Sequence, residues 1–215
     1  MAYVLGFFAA DGYITVNKRG GQFWCIEIKD KGLLENIKIA IGSDHKISKR
    51  PPGSEKESIT YRIQIGSIEM CEDLRKLGFY ERKTKSLAVP HVPEEYLCDF
   101  IRGYFDGDGN IWMGEIHKDK NRKTRHTVLK LYFTSCSIEF LKELQVRLCS
   151  LGLVGGCIYT SKKKQFSRLQ FSTINALKLY DFMYNELGVS KLFLQRNKGI
   201  FDKYIRHKVA AVAQR

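Results

Sequence analysis

Two almost wholly apolar runs divide the chain, Tyr3 to Ala10 near its start and Phe100 to Phe105 near its middle, and each is too continuous for a surface strand. Beyond the first, the pattern shifts to the period of two that marks strands. Tyr13–Val16 and Phe23–Ile28 flank a basic turn, Asn17–Gly21, and so predict a hairpin. Leu33–Ile41 has helical spacing and stops at Gly42; a second hairpin follows, His45–Arg50 and Ile59–Ile65 around the polar loop Pro51–Ser58. A helix from Ile68 to Leu77 stops at Gly78, and Phe79–Pro93 reads as a linker. The second half repeats this order. Strands Asn110–His117 and Thr127–Thr134, helix Ile138–Leu151, strands Cys157–Ser161 and Phe166–Ser172, and helices Ala176–Leu187 and Gln195–Arg206 complete it. The order is α-β-β-α-β-β-α, twice, which predicts an α+β fold of two related halves, 1–92 and 93–215.

The apolar runs are copies of one another. Gly6 aligns with Gly103, Ala10 with Gly107, Asp11 with Asp108, Gly12 with Gly109 and Ile14 with Ile111, at a constant spacing of 97 residues. Positions four apart share a helix face, so Gly6 with Ala10 and Gly103 with Gly107 give each helix a side nearly free of side chains. Such faces let two backbones approach closely. If the helices pack along them, Asp11 and Asp108 meet at two C-terminal ends, where the helix dipoles are negative. Two acids in that setting call for a cation between them. An EF-hand reading of the run from Asp106 fails, because its sixth residue is Ile111 and its twelfth is His117 in place of Gly and Glu. Asp106, aligned with Ala9, reads as a polar cap.

Val4–Gly12 and Ile101–Gly109 resemble the two motifs of a single-chain LAGLIDADG homing endonuclease, and the repeat extends the similarity over essentially the whole chain. The resemblance implies a saddle of two antiparallel sheets over a central helix pair, acting as a monomer. It implies site-specific double-strand cleavage of a long pseudo-palindromic DNA site, leaving short 3′ overhangs. Mg²⁺ or Mn²⁺ would be held by Asp11 and Asp108 with the backbone carbonyls of Ala10 and Gly107, and Ca²⁺ would bind without supporting cleavage. Lys29, Lys85 and Arg196 (or Lys198) match the family's supporting cations. Where the family often has Gln before the lysine, this chain has Ile28, and the matching stretch of the second half reads as Thr134–Ser135. The alternative in the same family is a non-cleaving protein, an RNA-splicing maturase on intron RNA or a DNA-binding module. The absence of splice-junction residues at either end favours a free-standing intron-encoded enzyme over an excised intein.

Composition agrees with a polyanionic partner: 36 Lys and Arg against 23 acids give a net charge of +13 over 215 residues. The excess is concentrated at hairpin tips and on alternating strand positions. In the first half these are Lys18, Arg19, Gln22, Trp24, Lys46, Lys49, Arg50, Arg62 and Gln64. In the second they are Trp112, Lys118, Lys120, Arg122, Lys123, Arg125, Lys130, Lys162, Lys163, Lys164, Arg168 and Gln170. A β-ribbon in the major groove reads guanine with Arg and adenine with Gln, so double-stranded DNA is the expected partner. No run approaches the length of a membrane span. Six cysteines without C-x-x-C spacing fit a reducing intracellular compartment better than zinc or disulfides.

Overall fold

The computed structural model describes residues 1–53, 58–81, 83–116, 126–153, 155–161, 165–185 and 192–213. Packing divides them into two compact units, Met1–Asp108 with the described part of Leu187–Phe193, and Gly109–Glu186 with Leu194–Arg215. The first unit holds both motif helices.

In that unit, helix α1 (Ala2–Asp11) runs without a linker into strand β1 (Gly12–Val16), which pairs with β2 (Gln22–Ile28). Helix α2 (Lys31–Ala40), strands β3 (Ser48–Arg50) and β4 (Thr60–Gly66), and helix α3 (Ile68–Lys76) follow. The strands form one antiparallel sheet in the order β1-β2-β4-β3. Helix α4 (Leu97–Asp108), the second motif helix, closes the unit. In the second unit, β5 (Gly109–Ile116), β6 (His126–Ser135), β7 (Cys157–Thr160) and β8 (Ser167–Ser172) repeat the plan in the order β5-β6-β8-β7. Helices α5 (Ile138–Ser150), α6 (Thr173–Tyr184) and α7 (Gln195–Ala213) belong to this unit. The chain is therefore α+β with two four-stranded antiparallel sheets.

Local chemistry explains the element ends. Asp30, Ser67 and Ser137 accept hydrogen bonds from the amides of Leu33, Met70 and Phe140, capping α2, α3 and α5. Gly42, Gly78 and Gly152, at φ of 63°, 90° and 74°, end the same three helices. In each case the next amide reaches back five residues (Ser43 to Lys38, Phe79 to Leu74, Leu153 to Leu148), as a Schellman turn requires. Gly12 is different. It is extended, at φ −81° and ψ 156°, and is needed for space: a Cβ there would stand 2.0 Å from the Phe8 ring.

Alternation along the strands sets the cores and corrects two expectations. Trp24, expected on the nucleic-acid face, is buried at 4% exposure. It lies in register with Ile14 and Ile65, and its ring stacks on Phe8 at 5.6 Å between centroids. Gln22 shares Trp24's side of β2, and its side-chain oxygen accepts a 2.7 Å hydrogen bond from Arg75 of α3. Lys49 pairs with Tyr61 and is exposed. Replacing Trp24 with Ala is expected to cost about 3–5 kcal/mol by opening this core, read as a lowered urea midpoint; a nucleic-acid contact would leave that midpoint unchanged.

Candidate active site

Helices α1 and α4 pack face to face through their small residues, and the contacts are reciprocal. A Cβ on Gly6 would stand 2.0 Å from the carbonyl oxygen of Phe100 and 2.9 Å from the amide of Tyr104. A Cβ on Gly103 would stand 2.0 Å from the carbonyl oxygen of Tyr3 and 2.8 Å from the amide of Phe7. Shifted by the 97-residue repeat, each set becomes the other, so the pair has a local twofold relation. Gly107 and Ala10 occupy equivalent positions and face each other across it, since a Cβ on Gly107 would lie 2.4 Å from that of Ala10. The next residue on each helix is an acid. Asp11 Oδ2 lies 3.4 Å from where the Gly107 Cβ would be, one residue from Asp108. The helix interface thus carries Asp11 to the end of α4 on which Asp108 stands.

The acids are open to solvent to different degrees, Asp11 exposed and Asp108 half-buried. Both close their helices, whose last carbonyls lack intrahelical donors. Two carboxylates and helix-end carbonyls would make an all-oxygen, hard donor set. Among the described residues no cluster of three or more His, Cys, Asp or Glu side chains completes a metal cage. Mg²⁺ is commonly bound through one or two carboxylates, with its other positions left to water and phosphate.

Asp106 is no cap. It is buried at 1% exposure and accepts a 2.9 Å hydrogen bond from the Tyr3 hydroxyl across the helix pair. Arg102, also buried, pairs with Asp99, donates to the Leu192 carbonyl at 3.1 Å and sits 5.4 Å from the Tyr3 ring centre. This polar link between the helices was missed in the sequence. Its signal was present: Arg102 and Asp106 stand four apart in an otherwise apolar helix.

The supporting cations fall in different places. Lys29 is exposed immediately after β2, and Lys85 is exposed in a 3₁₀ turn, Lys83–Lys85; both belong to the unit that holds the helix pair. Arg196 is exposed in the first turn of α7, in the second unit. Lys198 is committed within that unit, at 3.0 Å from Asp202 and 3.3 Å from the Tyr180 hydroxyl. Burial lowers the Lys198 pKa, but the hydrogen bonds its ammonium donates to Asp202 and Tyr180 outweigh it and raise the pKa. Strand register also moves one correspondence. Gly12 opposes Ile26 where Gly109 opposes Phe133, so Ile28 and Lys29 match Ser135 and Cys136, one residue beyond the expected Thr134–Ser135.

On the first sheet, Arg62 and Gln64 lie half-buried on the side of β4 away from Ile63 and Ile65. Arg62 hydrogen-bonds the Tyr13 hydroxyl and pairs in register with Glu27, whose carboxylate takes a 2.6 Å bond from Thr60. Cys25 lies beside them, its thiol pushed up to about 11 by burial. On the second sheet, Arg168 is exposed, with its guanidinium 5.7 Å from the Tyr132 ring and 5.0 Å from that of Phe166. Trp112 is 43% exposed, with the Lys130 ammonium 5.8 Å from its ring. Lys18, Arg19, Lys46 and Arg50 are exposed. The tip residues Lys118, Lys120, Arg122, Lys123, Arg125, Lys162, Lys163 and Lys164 lie outside the described residues.

Comparison with known proteins agrees with this architecture. The profile of the LAGLIDADG-like domain matches residues 1–78 and 95–188. A curated relative, the probable translation initiation factor IF-2 of Thermococcus kodakarensis, is 28% identical over 167 residues; these are 74% of this chain but only 11% of that protein. Among solved structures, the I-SmaMI LAGLIDADG homing endonuclease bound to cleaved DNA superposes with a TM-score of 0.66 at 15% identity, over 99% of this chain and 89% of that one. The I-LtrWI LAGLIDADG homing endonuclease bound to target DNA gives 0.64 at 13% identity, over 98% and 90%. At such identities these structures speak for the fold. No helix among the described residues is long and apolar enough to cross a membrane, and none of the six cysteines stands in a disulfide.

Proposed function

The chain belongs to the LAGLIDADG-like domain family, and from that premise we propose that it is a site-specific, metal-dependent endonuclease of double-stranded DNA. The observation that carries the proposal is the reciprocal packing of α1 and α4, which leads Asp11 to the end of α4 where Asp108 stands. A protein that only bound DNA would gain nothing from two acids gathered at one place, because they repel phosphate.

Asp11 and Asp108, with the carbonyls of Ala10 and Gly107, would hold Mg²⁺ or Mn²⁺. Such an ion would supply a lowered pKa for attacking water and charge stabilisation for the transition state and the leaving 3′ oxygen. The chain's own residues supply the rest. The carboxylates fix where the scissile phosphates lie, one for each half-sequence, so that both strands break close together and leave short 3′ overhangs. Lys29, Lys85 and Arg196 are exposed cations suited to facing phosphate. Lys198 is a weaker choice, because its charge is already taken by Asp202. The outer faces of the two sheets, led by Arg62, Gln64, Arg168 and Gln170, read base edges, and the basic hairpin tips grip the backbone. Ca²⁺ would permit binding without cleavage, and the active form would be a monomer, since one chain already carries both acids.

Sequencing the ends cut from a random duplex library in Mg²⁺ tests this reading. A recurrent site of cleavage supports it, and a library left intact in both Mg²⁺ and Mn²⁺ rejects it. Affinity for the selected site should also depend steeply on salt. With roughly 8 phosphates neutralised, it is expected to fall about 10⁴-fold between 50 and 200 mM salt, measured by filter binding.

A further inference from the structure

The strand registers allow the outer faces of the two sheets to be aligned residue by residue. Arg62 lies between Glu27 and Ser48, and Arg168 between Thr134 and Tyr159, on the third strand of each sheet. Two residues on, Gln64 opposes Cys25 and Gln170 opposes Tyr132. The same alignment sets Tyr13 against Asn110, Cys25 against Tyr132 and Glu27 against Thr134. The faces have thus diverged around one identical element, an arginine and a glutamine at i and i+2.

That element is also the part of each face held ready. Arg62 is bonded to the Tyr13 hydroxyl, and its buried Nε has no hydrogen-bond partner among the described residues. Arg168 rests against the rings of Tyr132 and Phe166. Two different braces have kept the same side chain in the same register, and a braced arginine loses less freedom on binding. Arg is the usual bidentate reader of guanine and Gln of adenine. Their spacing of about 7 Å along a strand covers about two base-pair steps at 3.4 Å each.

Taking the endonuclease reading as given, we propose that Arg62–Gln64 and Arg168–Gln170 read the same guanine and adenine in the two half-sites, and that the inverted symmetry of the target is confined to those positions. Positions read by the diverged residues differ between half-sites. Glu27, an acceptor suited to the cytosine amino group, has only Thr134 opposite it in the alignment.

The test is selection of bound duplexes from a random library by the full chain at fixed salt, with Ca²⁺ in place of Mg²⁺, repeated with Arg62→Ala and Arg168→Ala. The expected result is a site in which one G·C and one A·T pair recur in inverted orientation while the surrounding pairs do not. Arg168→Ala should relax the guanine preference about 10- to 100-fold in one half-site, and Arg62→Ala should do so at the mirror position in the other. Arg62→Lys, which keeps the charge and can still donate to guanine but loses the planar fork, should relax the preference less than Arg62→Ala. A site lacking the mirrored pairs overturns the proposal and leaves the endonuclease reading standing. Variants that weaken all sequences equally do the same, because they mark phosphate contacts. A library that yields no enriched sequence removes the endonuclease reading and this proposal together.

Discussion

Asp11→Asn and Asp108→Asn are each expected to lower the rate of double-strand cleavage by at least about 10³-fold, while affinity for the same DNA in Ca²⁺ stays within a few-fold or rises. Removing one well-placed electrostatic group from a hydrolytic site commonly costs about 10²–10³ in rate. Here the loss should be larger, because the group removed is a ligand of the ion that supplies the chemistry. Asparagine keeps the shape and an oxygen but loses the charge, so the helix ends and the glycine-faced interface stay intact. Affinity should hold or improve because each carboxylate opposes the phosphates it positions. Single-turnover cleavage with binding measured on the same preparation separates these effects. Cleavage that survives either substitution would refute the roles given to the acids.

Adding one methyl group at Gly103 or Gly6 should destabilise the protein markedly. The new Cβ would stand 2.0 Å from a carbonyl oxygen of the facing helix, and backbone cannot yield as a flexible side chain can. Overpacking typically costs about 1–3 kcal/mol, and a clash with main chain belongs at or above the top of that range. For a chain of this size a loss of about 3 kcal/mol corresponds to roughly 6–12 °C in Tm. Gly20→Ala is the control: its Cβ would meet nothing within 4 Å, though φ of +80° adds local strain. Equal losses at Gly20 and Gly103 would show that the close approach of the helices is not what holds the interface.

The elements could be read in the sequence because two signals coincided. Small residues four apart marked the contact face of each helix, and the copy 97 residues on showed that the faces had a partner. The Gly stops after α2, α3 and α5 were legible for the same reason, since their positive φ leaves little choice of residue. What misled was the side of a strand. Trp24 was placed with Lys130 on the outward face, although it shares parity with Ile26 and Ile28, which are buried. Gln22 followed it, and only α3, with Arg75 reaching that side-chain oxygen, shows why a polar residue is satisfied on the inner side. Asp106 was harder to place. Its partner, Tyr3, is 103 residues away, and no local pattern announces a hydrogen bond that exists only once two helices have packed.

The central claim is that Asp11 and Asp108 serve one cation-bearing seam, and iron-mediated backbone scission tests it most directly. Fe²⁺ with ascorbate and peroxide, in place of Mg²⁺, generates radicals that cut the polypeptide next to the bound metal. The predicted result is two sets of cuts, around Asp11 and around Asp108, both suppressed by excess Mg²⁺ and both lost in either asparagine variant. Cuts around one acid alone, or scission that Mg²⁺ does not suppress, would contradict it.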